Sequence, residues 1–346
     1  MRTIKKVASH IFIDGFGGMT QGLFATLIIG TMIQQIGLLI GGSTGNVIYL
    51  LGKAAAALTS AGIGVGVAVK YGESPLVTVS AAVAAMVGGY AGKITGGTFF
   101  VDGNAVLAGP GEPLGAFIAA FAGITCGHLV SGKTKVDIIV TPVITIGAGS
   151  VVGLLVGPPI SQMMTGLGSI INWATEQRPF IMGIVVSVVM GMVLTLPISS
   201  AALGIILNLS GLAAGAATIG CCCNMVGFAV ASYRENKFGG LVAQGLGTSM
   251  LQVPNIMRHP LIWLPVIFSS AILGPVSTIL ANMQNNATGS GMGSAGLVGQ
   301  ITTYQTMIAY DDPKLVIIKI ILLHFVLPAV ITLFSVSYTH LTLPTT

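Results

Sequence analysis

The stretch IGCCCNMVGFAVASYRENKFGGLVAQGLGTSMLQVPNIMRHP, residues 219–260, changes character twice. It opens as an apolar run to Ser232, crosses a short polar gap holding Arg234 and Lys237, and resumes over 239–260 as a segment that is apolar yet crowded with glycine, proline, glutamine and asparagine. The last part is too hydrophobic for an ordinary loop and too rich in breakers for an ordinary helix. Non-helical backbone at membrane depth is tolerated only where protein or a water-filled cavity surrounds it, so 239–260 reads as a re-entrant hairpin or broken helix inside a membrane protein. An amphipathic loop lying in the membrane interface is the alternative.

The rest of the chain agrees with a membrane setting. Of 346 residues, 53% are hydrophobic and 7% charged, where a soluble domain carries about 25% charged residues. Apolar runs of ~20 residues are long enough to cross a hydrocarbon layer ~30 Å thick as helices. They are continuous and do not alternate with period two, which excludes a β-barrel reading. The expected fold is an all-α polytopic membrane protein with about eight to ten transmembrane helices and re-entrant or broken helical hairpins.

Spans are expected over 16–39, 46–69, 75–92, 113–131, 138–157, 179–197, 199–218, 219–232, 260–281 and 315–335, some of them too short to cross. Three further apolar segments contain breakers: 96–113, 156–179 and 282–300. A faint echo links two broken segments, since Asn104 and Ala105 precede GPG at 109–111 and Asn286 and Ala287 precede GSG at 289–291. Transporters are often built from two repeats with broken helices at matching places. The basic gaps at Lys5 and Lys6, Lys133 and Lys135, and Arg234 and Lys237 are cytoplasmic under the positive-inside rule, which puts the N-terminus inside. The membrane domain is expected over 1–334. The closing SVSYTHLTLPTT, 335–346, resembles translated adapter DNA and is expected to be non-native.

The net charge of +5 is small and falls in short clusters between apolar runs, which fits membrane orientation and not nucleic-acid binding. Four cysteines, one alone and three consecutive at Cys221, Cys222 and Cys223, match no metal or disulfide spacing and read as small buried helix residues. No P-loop, metal motif or activated nucleophile is present, so no cofactor, metal or catalytic residue is assigned.

Acidic candidates in the broken segments are Asp102, Glu112 and Glu176; Glu176 and Arg178 read as a local pair or as residues at the interface beside Trp173. Carboxamides accumulate at the breaks instead, among them Asn104, Asn224, Gln252, Asn255, Asn286 and Gln300. A carboxamide offers donor and acceptor together and suits a neutral, hydroxyl-rich ligand; a carboxylate adds stronger acceptance. Glu112, between Gly111 and Pro113, has two readings: an acceptor facing a cavity, or an acid at the N-terminus of the helix that Pro113 begins.

The runs GEPLGAFIAAFAGITCGHLVSGKTKVDIIVTPVITI, INWATEQRPFIMGI, GLAAGAATIGCCCNMVGFAVASYRENKFGGLVAQGLGTSMLQVPNI and NNATGSGMGSAGLVGQ resemble the phosphotransferase-system EIIC family that includes the perfringolysin O regulator proteins. The resemblance extends to about Phe334. It implies a bacterial plasma-membrane permease subunit, generally homodimeric, that binds a sugar for phosphorylation by a separate EIIB protein, itself charged through EIIA. Gly109, Glu112 and Pro113 match the Gly-x-x-Glu-Pro setting of the sugar-binding glutamate in glucose-type members, although here it lies in the first half of the chain. Two other functions stay open: a membrane sensor or regulator without transport, and an ion-coupled secondary transporter.

Overall fold

In the computed structural model, which describes residues 14–101, 103–107, 109, 111–175, 177–198 and 200–339, the chain is almost wholly helical. Asp102, Glu176, the basic start and residues 340–346 lie outside the described residues. Two compact units are present, Met1–Met164 and Thr165–Thr346.

In the first unit, α1 (Phe16–Ile40) ends where Gly41 and Gly42 both take positive φ, a conformation that costs glycine little. The chain doubles back as α2 (Gly42–Ala57) and α3 (Thr59–Lys70), which are bent by 53° at their break. Small residues let this hairpin close tightly, as membrane helices require in place of a hydrophobic driving force. A Cβ on Gly22 would lie 2.2 Å from the Gly62 carbonyl oxygen, and one on Gly37 would lie 2.6 Å from that of Gly45. Next come α4 (Pro75–Gly89), a short β1–β2 hairpin (Phe100–Val101 and Asn104–Ala105), α5 (Pro113–Val130) and α6 (Asp137–Thr175). α4 and α5 meet at Gly88 and Gly115.

The boundary between the units falls within α6, whose 39 residues run without interruption. The break expected within 156–179 falls at its end, at Gln177 and Arg178, and not at Pro158 and Pro159, which sit inside the helix.

The second unit is organised around α8 (Gly211–Ala231), with 89% of its most apolar window buried. α7 (Pro179–Thr195) and α10 (Pro260–Leu280, opening with a 3-10 turn and closing with a π turn) pack on it. A Cβ on Gly220 of α8 would lie 1.8 Å from the Ser187 carbonyl oxygen of α7. Ser187 Oγ in turn donates to the Ser270 carbonyl of α10 at 2.8 Å. The expected join of two spans near 218 is wrong: the break comes earlier, where Asn208 and Gly211 take positive φ, and α8 then runs straight through. Cys221, Cys222 and Cys223 are buried within it, as their composition suggests.

The expectation of broken helices holds for the two segments around α8. Residues 233–258 form α9 (Tyr233–Val242), a π turn, a 3-10 turn and a short helix. Residues 282–297 form short turns before α11 (Val298–Met307). α12 (Pro313–Ser337), interrupted by a π turn at Ile321–Val326, completes the unit. The echo between the segments around Asn104 and Asn286 has no structural counterpart. Asn104 stands in an exposed strand, whereas Asn286 caps a helix.

Among the described residues, six helices are long and apolar enough to cross a membrane, seven if the bent α2–α3 pair forms one span, and two shorter apolar helices, α4 and α7, accompany them. Leu39, Ile138 and Phe334 are 72%, 74% and 72% exposed. Side chains so apolar and so open belong against lipid. This is a multi-pass, all-α membrane protein.

Candidate functional site

Both broken segments of the second unit converge on α8. Ser294 Oγ donates to the Gly245 carbonyl at 2.5 Å, tying one break to the other. Asn285 Nδ2 donates to Thr218 Oγ1 of α8 at 2.7 Å. Gln300 Nε2 meets Cys222 Sγ at 3.4 Å. Breaking a helix frees backbone groups, and side-chain partners of this kind satisfy them inside the protein.

Four of the seven proposed ligand residues are fully enclosed here. Asn224 is a junction between helices: its Oδ1 accepts from Trp263 Nε1 at 3.1 Å and Thr195 Oγ1 at 3.2 Å, and its Nδ2 donates to the Gly220 carbonyl at 3.1 Å and Ser270 Oγ at 3.3 Å. These contacts use the whole capacity of the amide. Thr195 extends the junction to Ser249 Oγ at 2.9 Å.

Gln252 and Asn255 belong to a second chain of amides. Asn255 Nδ2 donates to Gln252 Oε1 at 2.9 Å, Gln252 Nε2 to Gln244 Oε1 at 2.8 Å, and Gln244 Nε2 to Ser232 Oγ at 2.9 Å. At the open end, Asn255 Oδ1 is buried and has no hydrogen-bond partner. Gln300 Oε1 is in the same condition, as is Thr303 Oγ1 one turn further along α11. A buried acceptor without a donor costs about 1–3 kcal/mol, so such atoms mark places where a ligand or water supplies a proton.

Asn286 has a local task, since its Oδ1 accepts from the Gly289 amide at 3.0 Å and caps the helix beginning at Ala287.

In the first unit, Asn104 is exposed on the β hairpin. Glu112 is held at the start of α5. Its amide donates to the Gly89 carbonyl at 2.7 Å. Gly111, at φ +77°, packs so closely that an added Cβ would lie 2.4 Å from Ser60 Oγ. The Tyr90 hydroxyl donates to the Gly109 carbonyl and fastens the loop that leads to Glu112. Glu112 occupies the N-cap position, yet its side chain makes no capping hydrogen bond, and Oε1 is withdrawn from solvent. Its backbone therefore fills the cap position while the carboxylate performs no cap.

The partners Thr195, Ser249, Trp263 and Ser270 escape a reading of the sequence, because no spacing rule connects them to Asn224. Gln244 and Asn285 carry the one signal available, a carboxamide within an apolar break.

A family model described as phosphotransferase system, EIIC, matches residues 13–343. The chain belongs to this family. No curated protein matches the sequence. As an EIIC protein it is a membrane component of a sugar phosphotransferase system, a class that works with EIIA and EIIB proteins. In this EIIC chain the described residues contain no cluster of histidine, cysteine, aspartate or glutamate able to hold a metal. Its polar chemistry is concentrated in amides and hydroxyls.

Proposed function

We propose that this EIIC protein is the permease subunit of a phosphoenolpyruvate-dependent system, binding a sugar and passing it across the membrane as a separate EIIB phosphorylates it. The supporting observation is the amide chain ending at Asn255 Oδ1, a buried acceptor with no donor inside the protein. A sugar hydroxyl supplies such a donor, and polar atoms unfilled inside an apolar site favour a ligand carrying that hydroxyl over an analogue without it. Asn255 and Gln300 serve as acceptors, Gln252 orients Asn255, and Asn224 and Asn286 position the surrounding backbone. Asn104 is the least enclosed of the proposed ligands. In the first unit, Glu112 at the start of α5, whose side chain makes no capping hydrogen bond, is a separate candidate acceptor that rests on the Gly-x-x-Glu-Pro match. Assembly as a homodimer is part of the same reading and rests on the family.

The test is sugar uptake into right-side-out vesicles holding phosphoenolpyruvate, the general phosphotransferase proteins and a candidate EIIB. Sugar phosphate should accumulate inside. Asn255→Ala should lower accumulation about tenfold, the effect of one buried hydrogen bond to substrate. Glu112→Gln, run separately, should lower it by a similar factor. Sugar binding without phosphorylation would instead identify a sensor. Uptake abolished by an ionophore and indifferent to phosphoenolpyruvate would identify an ion-coupled transporter.

A further inference from the structure

Two adjacent cavities in the second unit share lining residues, and the groove they outline is left unused by the sugar reading. One, about 470 Å³, is walled almost entirely by apolar side chains, including Val226 and Val230 of α8, Leu241 of α9, and Phe325 and Ala329 of α12. The second, about 480 Å³, shares Val230 and Leu241 with the first and continues to Tyr233, Arg234 and Glu235 beyond α8 and to Leu333 of α12. Each is the size of a ligand cleft.

The order of these residues along the spans gives the groove a direction. α8 and α12 are both membrane spans, ending at Ala231 and Ser337. The apolar cavity takes residues from inside both spans, and the polar one takes residues at and just beyond their ends. From Val226 to Arg234 is about 12 Å at 1.5 Å per helical residue. The groove therefore runs from the hydrocarbon region to headgroup level, where the chain breaks its helix at Lys237, a non-glycine residue at φ +52°.

The charged end is unusual. Arg234 and Glu235 line the same cavity, yet among the described residues they form no ion pair with one another. Glu235 Oε2 is buried and has no hydrogen-bond partner. An anion alone would satisfy the guanidinium and be repelled by the carboxylate. A cation alone would do the reverse. A group carrying both charges, with N–H donors on its positive end, fits both.

We propose that this groove binds an aminophospholipid of the phosphatidylethanolamine type, with an acyl chain along α8 and α12, the phosphate at Arg234 and the ammonium donating to Glu235 Oε2. The lipid is distinct from the transported sugar and acts as a fixed component of the α8–α9–α12 surface.

The full-length protein, delipidated in detergent, would be titrated with phosphatidylethanolamine, phosphatidylcholine or phosphatidylglycerol and the complexes counted by native mass spectrometry. Phosphatidylethanolamine should bind about tenfold more tightly than phosphatidylcholine, whose quaternary nitrogen has no N–H to donate, in keeping with one charge-assisted hydrogen bond. Glu235→Gln should remove that preference, and Arg234→Gln should weaken all three lipids. Ala229→Trp, which fills the apolar cavity, should weaken all three without changing their order. Free phosphoethanolamine should fail to compete at lipid concentrations. Equal binding of the three lipids, unchanged by Glu235→Gln, would overturn the assignment. So would saturation of the groove by a second copy of the chain, seen as a dimer that excludes lipid.

Discussion

Asn224 is the residue whose substitution separates a packing role from a ligand role. Asn224→Ala would strand Trp263 Nε1, whereas Thr195 Oγ1 keeps the Gly191 carbonyl and Ser249 Oγ, and Ser270 Oγ keeps the Val266 carbonyl. Each stranded polar group costs about 1–3 kcal/mol, although hydrogen bonds between membrane helices average nearer ~0.6 kcal/mol. The variant should therefore lower the melting temperature in detergent, with a total loss of about 2 kcal/mol. Asn286→Ala removes one cap and should cost about 1 kcal/mol. Asn255→Ala should behave differently, lowering sugar binding at a smaller loss of stability, because it strands one buried protein group, Gln252 Oε1, while its own Oδ1 has no partner in the protein to lose. Asn224 is conspicuous in the sequence as a carboxamide in an apolar run. Its saturation is not, because its side-chain partners lie 29, 39 and 46 positions away.

At the scale of elements, glycine is the main device for packing helices, and its positions are not equivalent. Gly220→Ala would press a methyl group against the Ser187 carbonyl oxygen, a rigid backbone atom 1.8 Å from the new carbon. α7 and α8 would have to separate, disturbing Asn224 on the same face, and the protein should lose at least about 1–3 kcal/mol, as in other overpacked cores. Gly147→Ala in α6 is the control, since nothing lies within 4 Å of its added carbon. It should be neutral or stabilising by up to about 1 kcal/mol through helix propensity alone. Thermal melts of the two variants in one detergent check the contrast. The sequence shows 49 glycines, and composition cannot distinguish a contact glycine from an idle one. The same limit explains α6: Pro158 and Pro159 look like a break, yet the helix continues through them.

For the whole molecule, the decisive expectation is that transport draws its energy from phosphoenolpyruvate. The chain carries no nucleotide-binding loop, and the charged residues Lys319 and Asp311 pair with one another at 2.6 Å near the start of the last span. An ionic relay through the membrane would need several ionisable groups along a water path. Uptake should accordingly persist with a proton ionophore and stop when EIIB is omitted; vesicles with and without each addition, assayed for sugar phosphate, distinguish these cases.

The sequence by itself determined the medium, the helical class, the broken segments around α8 and the family. Hydrophobic run length and the cost of unpaired backbone in lipid leave few alternatives, and both can be read locally. Only the tertiary structure decided which polar residues satisfy one another. Asn224 is consumed by α7, α10 and its own helix, Asn286 by its own helix, and Asn255 Oδ1 by none. Hydrogen bonds depend on distances of about 3 Å between groups far apart in the chain, and no periodicity in the sequence records such distances.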